Sequence, residues 1–138
     1  MKPARTVLLL ALPAVLAACE NSGASYQIGG SADHTISLLR EQAFFWSDTV
    51  QQALVPANLP DCQRRYALPD DTKAMTPMDV FATPAGDFVV QQGSHWYAVT
   101  MSGCSVQVLQ QAPQEMGHKV GGFALRDGKL AFEVTTAP

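Results

Sequence analysis

The sequence contains few of the residue patterns that mark an enzyme or a nucleic-acid-binding protein. It has no Gly-x-Ser-x-Gly motif, no Cys-x-x-Cys-His motif and no glycine-rich phosphate-binding or calcium-binding loop. Charged residues make up only 15% of the chain, the net charge is −3, and no basic run is present, so a nucleic-acid partner is not expected. His34, His95 and His118 have no short ligand spacing, so neither a metal nor a cofactor is expected. These absences favour a non-catalytic protein, although an enzyme with a dispersed active site stays an alternative.

The sequence also lacks an apolar run long enough to cross a bilayer as a helix. Its N-terminal apolar run, residues 6–16, has about 11 residues where a spanning helix needs roughly 20, and Pro13 interrupts it. The run follows the positive charges of Lys2 and Arg5 and precedes small residues, which is the three-part layout of a secretory signal peptide. We therefore expect residues 1–18 to be a signal peptide.

The expected signal peptide ends in Leu16-Ala17-Ala18, and this run together with the following Cys19 resembles the lipobox of bacterial lipoproteins. In that family the chain is cleaved before the cysteine, the thiol carries diacylglycerol, and the new amino terminus is acylated. The resemblance implies that Cys19 anchors the protein in a lipid bilayer, and two or three acyl chains make such an anchor durable. Because Glu20 rather than Asp follows the cysteine, the resemblance implies the outer membrane, facing the periplasm, over the inner membrane.

Cysteine is otherwise scarce, and this scarcity is informative. Of the three cysteines, lipidation of Cys19 would leave Cys62 and Cys104. An exported compartment is oxidising, so these two are expected to form a disulfide. The alternative is a pair of free or metal-binding thiols.

The chain divides into a polar N-terminal segment and a globular body. Residues 19–33 are small and polar, which predicts a flexible tether, and residues 34–138 form the expected domain. Residues 34–59 fit either a helix or a strand hairpin. The Phe44-Phe45-Trp46 triplet favours a strand, whereas the Leu-Leu-Arg-Glu-Gln-Ala run before it favours a helix. We favour the hairpin, with a turn at residues 47–49.

From Cys62 onward, the pattern indicates short strands separated by turns. Pro69-Asp70-Asp71 and residues 83–87 contain turn residues, and Asp127-Gly128 between alternating segments is the strongest hairpin signal in the chain. We predict a mainly β fold, a single small antiparallel barrel or sandwich of six to eight short strands, with one N-terminal helix if residues 34–59 are helical.

Two aromatic clusters are candidates for a contact surface, Phe44-Phe45-Trp46 and His95-Trp96-Tyr97. In a strand, one face of each cluster packs in the core and the other is exposed, where it can form an aromatic patch for a partner. Nearby arginines could rim that patch. The candidate partner-binding residues are Phe45, Trp46, Trp96, Tyr97, Arg64 and Arg65.

These observations lead to a functional expectation with two alternatives. The most distinctive segments of the body are residues 40–46 and 61–65. The body resembles the uncharacterised small lipoproteins of Proteobacteria, a resemblance that implies no activity. We expect a membrane-anchored, periplasm-facing, non-catalytic binding or structural module with a protein partner in the cell envelope. The first alternative is an inhibitor of a hydrolase such as a lysozyme or a protease, and the second is an enzyme. Residues 22–30 are superficially similar to a segment of the membrane-bound lysozyme inhibitors, but they lie in the expected tether, and we interpret the match as coincidence.

Overall fold

Antiparallel strands dominate the computed structural model, which describes residues 21–136. A single turn of 3-10 helix, Ile28–Gly30, is the helical element between these residues. The strands are β1 (Asn21–Gln27), β2 (His34–Glu41), β3 (Thr49–Asn58), β4 (Cys62–Gln63), β5 (Tyr66–Thr72), β6 (Met78–Ala82), β7 (Phe88–Gln92), β8 (His95–Thr100), β9 (Ser105–Leu109), β10 (His118–Arg126) and β11 (Lys129–Val134).

The strands form two sheets that share one core. The first sheet has the order β1-β2-β3-β4, with β5 also paired to β3, and the second has the order β11-β10-β6-β7-β8-β9. The mainly β, antiparallel prediction is confirmed. Within residues 21–136 the sheets do not close into a barrel and no N-terminal helix forms. Residues 21–136 contain eleven strands where six to eight are expected, in part because β1 and the two-residue β4 carry no strand signal in the sequence.

Alternating side chains from both sheets build the core. In β2 the buried positions recur at every second residue from Ile36, and in β8 they include Tyr97 and Val99, the pattern of sheets with one solvated face. The core cluster consists of Ile36, Leu38, Leu54, Leu68, Met75, Met78, Val80, Phe88, Val90, Tyr97, Val99 and Phe123.

Three features join the two sheets. At the side, the ring of Tyr26 in β1 stacks on that of Phe132 in β11 with 4.7 Å between centroids. At one end, the amides of Gln52 and Gln92 exchange hydrogen bonds of 2.9 and 3.0 Å. At the other end, the expected disulfide is present and links Cys62 to Cys104, with 5.9 Å between Cα atoms.

Residues 34–59 form the predicted hairpin, but the turn lies elsewhere. β2 pairs with β3 from His34↔Asn58 to Glu41↔Gln51. Pairing therefore stops before Phe44, and the aromatic triplet lies in the connecting loop rather than in a strand. The predicted turn at residues 47–49 is the end of that loop.

The predicted tether is wrong for residues 21–27, which form β1. This strand pairs with β2 along its whole length, from Asn21↔Glu41 to Gln27↔Thr35. Its backbone hydrogen bonds and the packing of Tyr26 stabilise it, so an edge strand can consist mostly of small polar residues. The expected signal peptide and Cys19 lie outside the described residues.

Pro69-Asp70-Asp71 also departs from the prediction, because it lies inside β5 rather than in a turn. Among the described strands β5 pairs with β3 alone. Pro69 lies where the register of that pairing shifts, between Leu68 and Asp71, and a proline without an amide hydrogen is tolerated at such a bulge. The predicted turns at residues 83–87 and 127–128 are confirmed, and a further turn at residues 93–94 joins β7 to β8. Positive φ angles at Asp127 and Gly128 are those of a two-residue hairpin turn.

Candidate functional site

The most exposed apolar cluster in the described residues lies at the tip of the β2–β3 hairpin. Residues 42–48, which we call the aromatic loop, present Phe44 and Phe45 at 55% exposure and Trp46 at 66%. The ring of Phe44 stacks on Trp46 with centroids 4.9 Å apart, and Phe45 meets Trp46 edge to face at 4.7 Å. Three consecutive side chains thus form one apolar surface that faces water, an arrangement typical of a contact site.

Hydrogen bonds hold the aromatic loop in a defined conformation. The buried amide of Gln42 donates from Nε2 to the backbone oxygens of Ser47 at 2.5 Å and Phe45 at 3.4 Å. Lys73 donates from Nζ to the Phe45 oxygen at 3.3 Å and from its backbone nitrogen to the Asp48 oxygen at 3.2 Å. The aromatic rings are therefore preorganised, which lowers the entropic cost of binding.

The buried side chain of Arg40 holds the segment that contacts the aromatic loop. Arg40, the last inward-facing residue of β2, has no solvent exposure and donates from Nη2 to the Thr72 oxygen at 2.6 Å. The same nitrogen lies 3.9 Å from Oδ2 of Asp71. Asp71 in turn accepts hydrogen bonds from the backbone and the hydroxyl of Thr76 at 2.8 and 3.0 Å. These contacts fix residues 71–76, from which Lys73 reaches the loop.

The structure separates the residues that the sequence analysis grouped into one patch. Phe45 and Trp46 lie together in the aromatic loop. Tyr97 is only 1% exposed and belongs to the core, so its assignment to a surface patch is wrong. Trp96 is half-buried on β8, in the other sheet.

The predicted arginines are exposed, and one of them is paired. Arg65 Nη2 lies 3.5 Å from Oε1 of Glu41, the residue that precedes the aromatic loop. Arg64 is exposed beside it in the sequence. Surface ion pairs contribute little to stability. The main consequence of the Arg65–Glu41 pair is therefore to place a charged pair beside the loop.

Two residues of the loop surface were missed by sequence reasoning. Phe44 belongs to the first aromatic cluster but is absent from the candidate residues, because a strand through this cluster would pack one of its faces in the core. Lys73 contacts the loop from 28 residues away along the chain, and no sequence pattern signals such a contact. The end of apolar alternation after Leu38, at Arg40 and Gln42, was the available sign that the strand was ending.

A surface basin of about 460 Å³ beside β6, β10 and β11 collects charged side chains. They form two ion pairs: Lys119 with Asp79 at 2.9 Å, and Arg126 with Glu133. The hydrogen bond from Arg126 lowers the pKa of the Glu133 carboxyl below its usual value. A general acid at neutral pH needs the opposite shift, so this basin does not favour acid catalysis by Glu133.

Residues 21–136 contain no group of three or more His, Cys, Asp or Glu side chains placed to hold a metal ion. Over the same residues, no helix has both the length and the apolar character needed to span a membrane.

No protein-family model matches the chain, no curated protein is detectably similar to it in sequence, and no solved structure matches its fold.

Proposed function

We propose that the protein is a lipid-anchored, non-catalytic binding module on the periplasmic face of the outer membrane, with the aromatic loop as its contact surface. The observation that carries the proposal is the exposed and preorganised cluster of Phe44, Phe45 and Trp46. Large rigid aromatic side chains supply contact area at low entropic cost. They offer neither a nucleophile nor a proton donor, so the surface suits binding rather than catalysis.

The anchor in this proposal rests on the lipobox resemblance of Leu16-Ala17-Ala18-Cys19. A Cys19→Ala variant expressed in the native host should lose the acyl mass and leave the membrane fraction. A Glu20→Asp variant is the matched control, because it should keep the acyl mass and move toward the inner-membrane fraction. Unchanged mass and membrane retention in Cys19→Ala would refute the anchored function.

The contact role of the loop has its own test. A photoreactive residue placed at Phe45 should form an adduct with a lipid or a protein in intact cells. The control position is Val108, which is 63% exposed on β9 in the other sheet and should give little adduct. Equal labelling at both positions would remove the aromatic loop from the proposal.

A further inference from the structure

We propose that the aromatic loop binds the bilayer in which Cys19 is anchored, so that the domain lies directly on the membrane with this loop inserted among the lipid headgroups. The proposal rests on the proposed function, because it requires a lipidated Cys19. It names the lipid surface as the partner of the aromatic loop, in place of an envelope protein.

The pairing of β1 with β2 places the anchor and the loop at the same end of the molecule. β1 begins at Asn21, which pairs with Glu41, and the aromatic loop begins at the next residue. Only Glu20 separates Cys19 from Asn21 in the sequence, and two residue steps of any chain span at most about 7 Å, so a lipid attached to Cys19 is tethered to the end of the sheet at which the loop begins.

The strand directions determine which way the loop projects. β2 runs toward its end at Glu41, whereas β1 starts beside that end and runs away from it. The aromatic loop therefore extends past the strand ends on the side at which β1 begins. A bilayer that holds acyl chains on Cys19 must lie close to this end, because β1 occupies the segment that would otherwise act as a spacer.

The side chains of the loop are those that a membrane interface favours. Tryptophan is enriched at the headgroup level, where an apolar ring and a polar N–H are both accommodated. The two phenylalanine rings beside Trp46 add apolar area, and Lys73, which donates to the Phe45 oxygen, places a cation at the base of the cluster. The exposed Asp48 lies at the same base of the loop, so the net charge there is balanced and the apolar rings carry the match to the headgroup level of a bilayer.

The proposed orientation directs the other end of the domain toward the periplasm. The end of β3 at Asn58 pairs with His34 and with Cys62, and so lies opposite the loop. The disulfide and the turn before β9 would therefore face away from the membrane.

The two tryptophans of the chain allow a direct test. The lipidated protein is purified in mild detergent and reconstituted into vesicles of phosphatidylethanolamine and phosphatidylglycerol that contain lipids with brominated acyl chains. In a Trp96→Phe variant only Trp46 reports, and its fluorescence should be quenched and shifted to shorter wavelength. In a Trp46→Phe variant only Trp96 reports, and its fluorescence should show much weaker quenching because it lies on β8.

The readout does not depend on replacing the half-buried Trp96. Subtracting the Trp46→Phe signal from that of the unmodified chain isolates Trp46, and Trp46 is exposed enough for its replacement to leave the fold intact. A Phe44→Ser/Phe45→Ser variant that keeps Trp46 should lose both the quenching and the wavelength shift. Its melting temperature should match that of the unmodified protein.

The outcomes separate this proposal from the one on which it rests. If the protein floats with the vesicles but the fluorescence of Trp46 is not quenched, loop insertion is overturned. The loop would then be available to bind a protein or a second copy of the chain. Equal quenching of Trp46 and Trp96 would also overturn it, because contact would not be specific to the loop. A chain without acyl mass that fails to float refutes the anchored function itself.

Discussion

At the scale of single residues, Arg40 is the most unusual feature of the core. Its guanidinium is fully buried, and its Nε and Nη1 atoms have no hydrogen-bond partner. Removing an ion from water has a free-energy cost that only a close counter-charge and good hydrogen bonds offset. Here the nearby carboxylate of Asp71 and the backbone oxygen of Thr72 supply that compensation.

Asp71 should therefore matter far more to stability than its neighbour Asp70. We expect Asp71→Ala to lower the free energy of unfolding by about 3 kcal/mol, because it leaves the charge of Arg40 buried without its partner. Asp70 is exposed, so Asp70→Ala should change stability by less than about 0.5 kcal/mol. Urea denaturation of both variants measures the difference. Equal effects would show that Asp71 does not compensate the buried charge.

Tyr97 is a second buried polar residue, and it lacks compensation. Its hydroxyl is buried without a hydrogen-bond partner, and this burial raises the pKa of the phenol above 10.0. The folded state therefore disfavours the ionised form. The stability that Tyr97 contributes in its neutral form is complete below pH 10.0 and is lost as the pH rises through the raised pKa.

Replacing Tyr97 by phenylalanine should preserve or increase stability. The change removes a desolvated hydroxyl and keeps the ring, so we expect a gain of up to about 1 kcal/mol at neutral pH. Above pH 10.0, the unfolding free energy of the variant should fall less steeply with pH than that of the unmodified protein. Denaturant titrations at neutral and alkaline pH test both effects. A marked loss of stability at neutral pH would contradict the absence of a partner for the hydroxyl.

At the scale of elements, the sequence predicted those strands whose pairing is local. β6, β7, β8 and β9 follow one another through short turns, and β10 returns through the Asp127-Gly128 turn to β11. The turns at residues 83–87, 93–94 and 127–128 contain a glycine at a positive φ angle, whereas in the turn before β9 the positive φ lies at Cys104. Turn chemistry and alternating burial therefore suffice for this half of the fold.

β1 could not be predicted, because nothing in its composition requires a strand. Its stability comes from β2, which supplies the backbone partners, and from the ring of Phe132, more than 100 residues away in the chain. The exposure of the aromatic loop could not be predicted from the sequence for a related reason. Aromatic residues favour strands when a second layer covers them, and whether such a layer exists is a property of the tertiary structure.

The candidate site was predicted only in part, because exposure of an aromatic side chain also depends on the tertiary structure. Phe45 and Trp46 were recognised as residue types suited to contact, but Tyr97 carries an equally strong aromatic signal and packs in the core. Residue type indicates what a side chain can bind. The register of the sheets decides which of these side chains reach the surface. It also decides which of them lie at the end of the molecule where β1 begins.

At the scale of the whole molecule, the two open sheets are joined at opposite ends by different chemistry. The Gln52–Gln92 amide pair lies toward the aromatic loop, and the Cys62–Cys104 disulfide lies at the far end. The disulfide connects β4 of the first sheet to the turn that precedes β9 of the second. It restrains the two sheets at a place where, within residues 21–136, no ladder of backbone hydrogen bonds joins them.

Loss of this disulfide should destabilise the entire domain rather than one strand. The two cysteines are separated by 42 residues in sequence, and closing a loop of this length in the unfolded chain is worth about 4 kcal/mol on the chain-entropy model. A Cys62→Ala/Cys104→Ala variant should lose about that much unfolding free energy, and alanine avoids placing a hydroxyl at the fully buried position 104. A reducing agent should lower the stability of the unmodified protein to a similar level and leave the double variant unchanged. If the reducing agent affects both proteins equally, the stabilisation does not come from this bond.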